Sequence, residues 1–196
     1  MEAVKSVKVT TLADNVVYVS GLLGQFGFSA HLEICDHRGE KHSIVFDTGS
    51  IKNALLYNIK ALKLDLSQLE CIVLSHGHYD HTSATVELIR KSKRKVKVIV
   101  HPSIFYPRFV IEKGKRRHYG IPRGERRDDI LRAGGQLVET MKPVEVIPGV
   151  FTSGEIKRVA SFERITWKNW ALIDRKQVRD QVPEDQALFI NLRKKS

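Results

Sequence analysis

Apolar and polar positions alternate with a two-residue period through the first part of the chain. That pattern predicts half-buried strands over residues 7–11, 16–19 and 30–35, and another over 43–46 after a turn at Asp36-His37-Arg38-Gly39. Between the second and third of these lies the stretch from Gly21 to Phe28, rich in glycine and apolar side chains. Its glycines lack phosphate-loop spacing and lead into no helix, so it reads as a flap over a substrate rather than a nucleotide cradle. The period then changes. Ala54, Leu55, Ile59 and Leu62 recur at three and four residues and predict a helix over 51–62. A buried strand over 70–74, a helix over 83–91 and a buried strand over 96–100 follow, and this alternation argues for an α/β architecture. Further on, a helix is predicted over 128–133, with short strands over 136–138, 144–147, 150–152 and 187–192.

One region breaks the pattern. A basic insertion at about 104–127 carries Arg108, Arg116, Arg117 and Arg123 among glycines and prolines, and reads as a long functional loop too polar for a core. Without repeats or an evident linker, residues 1–196 are read as a single domain.

Composition narrows the class. The chain is 42% hydrophobic and 28% charged, which is ordinary for a globular protein. Its apolar runs are too short to span a membrane, and residues 1–5 lack a secretory signal, so the expected location is cytoplasmic. A formal charge of +11 attracts anions, phosphorylated metabolites before nucleic acid. Cys35 and Cys71 are expected to be buried free thiols.

The chemistry concentrates after the strand over 70–74. His76-Gly77-His78-Tyr79-Asp80-His81 places four metal-competent side chains in six residues. A strand end fixes the backbone, and Gly77 permits a turn that lets His76 and His78 converge. Imidazoles with a carboxylate suit one or two divalent ions, zinc before manganese or iron. Asp80 is assigned a catalytic as well as a ligating role. Asp47, in Phe46-Asp47-Thr48-Gly49 at the end of another apolar strand, is expected to tether the loop by hydrogen bonds behind the ligands.

These two motifs resemble those of the metallo-β-lactamase superfamily, whose fold is an αββα sandwich with metals at its rim. Within it, Ser75-His-Gly-His-Tyr-Asp-His-Thr82 is similar to a branch of dihydropterin–ribofuranosylaminobenzene phosphate synthases of methanopterin biosynthesis. Val100-His101-Pro102, Gly120-Ile-Pro122, Ser153-Gly154-Glu155-Ile156 and Glu184-Asp185-Gln186-Ala187-Leu188 match the same branch. The resemblance implies that His76 and His78 serve one metal, and Asp80 and His81 the other. It also implies a later histidine ligand, and only His101 and His118 follow His81. The expectation is therefore a sandwich whose C-terminal part is shortened or missing, with about two protein ligands per metal where catalytic zinc has three. An uncovered sheet would favour self-association.

Three readings follow. The first is a metal-dependent transferase acting on a phosphorylated small molecule held by Arg108, Arg116, Arg117 and Arg123. The second is a hydrolase or nuclease of the same superfamily, with Phe105, Tyr106, Phe109 and Tyr119 stacking on bases. The third is a shortened, non-catalytic homologue.

Overall fold

The hydrophobic runs assemble into a six-stranded sheet whose central strands are buried on both faces. The computed structural model describes residues 2–163 and 165–193. In chain order the central elements are β1 (Ser6–Ala13), β2 (Ser29–Cys35), β3 (Lys41–Phe46), α1 (Lys52–Ala61), β4 (Leu69–Val73), α2 (Tyr79–Thr82), α3 (Thr85–Lys91) and β5 (Lys97–Val100). They are followed by β6 (Arg108–Glu112), β7 (Lys115–His118), α4 (Arg127–Arg132), β8 (Gln136–Glu139), β9 (Glu145–Ile147) and β10 (Val150–Thr152). Last come β11 (Asn169–Ile173), β12 (Lys176–Arg179) and β13 (Leu188–Ile190). The main sheet runs β1-β2-β3-β4-β5-β8, antiparallel across its first three strands and parallel from β3 to β8.

Strand alternation divides the core. Val45, Ile72, Leu74, Val98 and Val100 point to one face, where Leu55 and Ile59 of α1, Leu88 and Ile89 of α3 and Ile130 of α4 cover them. Ile44, Cys71, Val73 and Ile99 point to the other, against Val146, Ile147 and Val150. Strands covered on both faces read as unbroken apolar runs, which is why β4 and β5 are plain in the sequence. The second face is covered by a three-stranded sheet, β13-β10-β9. No α-helix follows Arg132 among the described residues. The mixed α/β sandwich therefore shows one helical layer, two facing sheets and, beyond them, a four-stranded sheet ordered β12-β11-β6-β7. Between the facing sheets a groove lined by Val9, Phe28, Phe46, Leu188 and Ile190 reaches His76 and His81. No helix is long and apolar enough to cross a membrane.

Three expectations change. Residues 16–19 form no strand: Val16, Tyr18 and Val19 are exposed, and Asp14 caps the turn by accepting from the Val16 N–H at 2.9 Å. A β-prone run without a neighbouring ladder remains a loop. The basic insertion is not a loop. It forms a short 3-10 helix (Pro102–Phe105) and the β6–β7 hairpin, which pairs with β11 through Asn169–Val110, Trp170–Phe109 and Ala171–Arg108. Nor is it excluded from the core, because Arg108, Phe109 and Ile121 are buried. Cys35 and Cys71 are free thiols as expected, on β2 and β4 with β3 between them, but only Cys71 is buried and Cys35 is half-buried; burial pushes the Cys71 thiol up to about 12.

Candidate metal centre and cleft

The parallel register of β3 with β4 decides where the loop starts. Phe46 pairs with Val73, and the Asp47 N–H donates to the Val73 carbonyl at 2.9 Å, so Asp47 and Ser75 emerge side by side. Asp47 adopts φ 58, a left-handed conformation that turns its carboxylate back toward the loop. It is 1% exposed and accepts three hydrogen bonds, each of 2.7 Å: from Ser75 N–H, Ser75 Oγ and His81 Nδ1. Thr48 completes this anchor, its N–H donating to the His81 carbonyl at 2.7 Å.

These contacts fix which nitrogen of each imidazole is available. The Ser75 hydroxyl hydrogen goes to Asp47, so its oxygen can only accept from His76 Nδ1 at 2.9 Å, and His76 Nε2 keeps a lone pair. His81 donates from Nδ1 to Asp47, which leaves the lone pair of its Nε2 available. His78 is the reverse: Nε2 donates to Asp180 Oδ2 at 3.0 Å and leaves Nδ1. Asp80 Oδ1 is buried without a hydrogen-bond partner. Three available imidazole nitrogens and one orphaned carboxylate oxygen are a donor set that fits a divalent metal. The rings lie close, His76 and His81 at 4.2 Å between centroids and His76 and His78 at 4.7 Å.

Electrostatics differ along the loop. Burial, the neighbouring His81 and His78, and Arg108 and Arg158 hold His76 well below the usual imidazole value, so it is neutral at physiological pH. Burial alone would lower His81 as well, but its hydrogen bond to Asp47 and the charges of Asp47, Asp80 and Asp185 raise it overall.

Close packing fixes the backbone. A Cβ on Gly77 would meet the Ile104 carbonyl and the Arg108 guanidinium, and one on Gly27, at φ 98, would meet the Asp80 carbonyl. The expected flap is thus tied to the loop at one end, where Phe28 N–H donates to the Asp80 carbonyl at 3.3 Å.

The loop opens on a cleft of about 570 Å³ lined by His76, His78, Asp80 and His81, by Phe26, Tyr119 and Trp167, and by Arg158 and Asp185. Of the arginines expected to hold phosphate, none lines it. Arg108 is 1% exposed, its guanidinium engaged by Asp180, Glu184 and three carbonyls. Arg116 stacks on Phe109 and bonds Gln177, Arg117 bonds Glu112, and Arg123 borders a separate cleft beside Glu87 and Glu125. The cation in the cleft is Arg158, whose Nη1 donates to the Gln181 carbonyl at 2.6 Å. Neither His101 nor His118 lines the cleft: His101 Nδ1 accepts from Ser103 N–H at 3.1 Å, and His118 Nε2 donates to the Ile121 carbonyl at 2.9 Å.

The sequence reading missed Asp180, Glu184 and Arg158. It quoted Glu184 and Asp185 only as part of a matching stretch, and nothing in their local pattern shows what they contact. It also missed Asp36, Glu40 and His42, whose ligand atoms lie within 4.8 Å of one another, closer than the loop's own donors. That group sits at the far end of the sheet, at the β2–β3 turn. Its donors already serve the fold: Asp36 accepts from Arg38 and Glu40 N–H groups, and His42 Nδ1 pairs with Glu70 at 2.7 Å.

Known proteins resemble this chain in sequence or in fold. A 7,8-dihydropterin-6-methyl-4-(beta-D-ribofuranosyl)-aminobenzene-5′-phosphate synthase of Methanocaldococcus jannaschii is 32% identical over 155 residues, 79% of this chain and 52% of the relative. The chain thus spans about half the length of that synthase. An uncharacterized protein of the same organism is 28% identical over 181 residues, 92% of this chain and 65% of its own. The crystal structure of a metal-dependent hydrolase of the beta-lactamase superfamily superposes with a TM-score of 0.71 at 19% identity, over 94% of this chain and 61% of that one. An N-acyl homoserine lactone lactonase does so with a TM-score of 0.52 at 16% identity, over 97% of this chain and 70% of its own. At such identities these likenesses speak for the fold alone. The family model for the metallo-beta-lactamase superfamily matches residues 36–155, from the β2–β3 turn through the whole metal loop, and the chain belongs to that superfamily.

Proposed function

We propose that the chain is a metal-dependent enzyme that acts on a phosphorylated small molecule in the cleft beneath His76–His81. More finely, we propose chemistry of the kind named for the synthase relative, a step of methanopterin biosynthesis. The observation that carries this reading is the tautomer pattern: each of three imidazoles has one nitrogen tied and the other available, beside the unpartnered Asp80 Oδ1. His76 and His78 would hold one ion, Asp80 and His81 the other. A divalent ion there, zinc by donor type, supplies Lewis-acid polarisation of a phosphate or diphosphate oxygen, or a water of lowered pKa.

The chain's own residues do the rest. Arg158 offers a cation to an anionic group, and Asp185 at the same wall sets its orientation from 3.5 Å. Phe26, Tyr119 and Trp167 present rings to a flat heterocycle. Asp80, whose Oδ1 lacks a hydrogen-bond partner, combines the ligating role with the catalytic one. The +11 charge draws anions toward the site.

The test uses zinc-loaded protein with a dihydropterin diphosphate and the ribofuranosylaminobenzene phosphate acceptor. Diphosphate release that requires the acceptor and the metal is the expected result. Cleavage of phosphodiesters alone would exclude the synthase reading in favour of a hydrolase. Bound zinc with no turnover of either class would leave the reading of a non-catalytic homologue.

A further inference from the structure

We propose that Arg108, Asp180 and Glu184 form a buried positioning unit that selects the ligating nitrogen of His78 and fixes the backbone at Gly77. This inference rests on the metal-loop reading above and concerns how the loop is made competent. Arg108 lies on β6, while Asp180 and Glu184 lie between β12 and β13, more than 70 residues later. All three side chains are at most 1% exposed. A guanidinium removed from water costs several kcal/mol unless every donor is matched, so it persists only where its partners are fixed.

All five donors are matched. Nε donates to Asp180 Oδ2 at 3.1 Å, and Nη2 pairs with Glu184 Oε1. The remaining donors reach the carbonyls of Ile104 at 3.0 Å, Tyr106 at 3.2 Å and Ser103 at 3.2 Å. Each carboxylate oxygen that Arg108 holds also grips the metal loop. Asp180 Oδ2 accepts His78 Nε2–H at 3.0 Å, and Glu184 Oε1 accepts the Gly77 N–H at 3.1 Å. Asp180 Oδ2 already accepts the Arg108 Nε–H, so it faces His78 as an acceptor, and His78 must carry its proton on Nε2 and present Nδ1. Asp180, held in place by Arg108, lies behind His78, where its hydrogen bond strengthens the ring as a donor to a cation.

Two measurements test the unit. The first is the tautomer in metal-free wild-type protein at mildly alkaline pH, read from long-range proton–nitrogen NMR of the imidazoles, with His78 assigned by its loss in His78→Gln. His78 is expected as the Nε2–H tautomer and His76 as Nδ1–H; His78 found as Nδ1–H or averaging between the two would overturn the inference. The second is zinc affinity by chelator competition, with the thermal melt of the metal-free protein measured alongside. Asp180→Ala is expected to weaken zinc about 10- to 100-fold, whereas Arg116→Ala on the exposed hairpin leaves it unchanged. A folded Asp180→Ala that binds as tightly as wild type would overturn the inference. If that variant does not fold, the wild-type tautomer decides. Wild-type protein that binds no zinc, yet shows the stated tautomers, would sink the metal reading while leaving the positioning unit in place.

Discussion

His81 and His78 are held in the same manner by segments of different origin. His81 donates to Asp47, 34 residues upstream at the end of β3, and β3 pairs directly with the strand that delivers the loop. His78 donates to Asp180, 102 residues downstream and outside any strand. Sheet register places Asp47; a buried ion pair places Asp180. The first tether forms wherever the parallel sheet forms. The second depends on Arg108 reaching two carboxylates from a separate sheet. One job done by two kinds of support predicts different responses to damage.

Asp47→Ala should have the largest effect. It removes three 2.7 Å hydrogen bonds at a buried carboxylate, and a loss of about 3–5 kcal/mol in urea unfolding is expected, together with loss of zinc binding. A loss under 1 kcal/mol would mean the sheet alone positions the loop. Gly77→Ala comes next. Its Cβ would press on the Ile104 carbonyl and Arg108, straining the second tether without touching Asp47, and about 1–3 kcal/mol should be lost on thermal unfolding.

Glu125 is another buried carboxyl, without an ion pair among the described residues, and it reverses the pH dependence. Burial pushes it from 4.5 up to about 7, opposed by its hydrogen bond from the Val86 N–H and by Lys52 and Arg90. The folded state therefore holds the proton more tightly than the unfolded one. Its contribution is fully present below about pH 4.5 and lost as pH rises through about 7. Asp180 runs the other way, with stability present above its unfolded value and lost in acid as pH falls through its lowered folded value. Glu125→Gln keeps an acceptor for Val86 and should gain about 1–3 kcal/mol over wild type at pH 8, and little at pH 4. Equal stability gaps at the two pH values would contradict the assignment. The smallest effect belongs to Arg117→Ala, whose partner Glu112 is equally exposed; a change within about 0.5 kcal/mol and unaltered zinc affinity are expected.

The contrast between the tethers also explains what could be read from the sequence. Asp47 was legible because it ends an apolar strand beside the strand that carries the histidines, and local pattern reports that neighbourhood. The loop stood out because its four metal-competent side chains fall within six residues. Asp180, Glu184 and Arg108 were not, since an ion pair spanning 72 residues leaves no periodic trace. A charged side chain in a basic stretch is ordinarily solvated, and Arg108 is the exception because its donors are matched one by one. The β11–β12 hairpin escaped for a related reason. Its residues are mostly half-buried or exposed, so the in–out alternation is weak, and its place comes from pairing with β6.

The central claim is that His76–His81 is the metal-binding centre, and zinc titration with elemental analysis tests it most directly. Wild-type protein should bind one or two zinc ions per chain saturably, and the His76→Ala/His78→Ala double variant should lose that binding while His42→Ala keeps it. Absence of saturable binding in the wild type, or binding that survives the double variant and disappears with His42→Ala, would contradict the account.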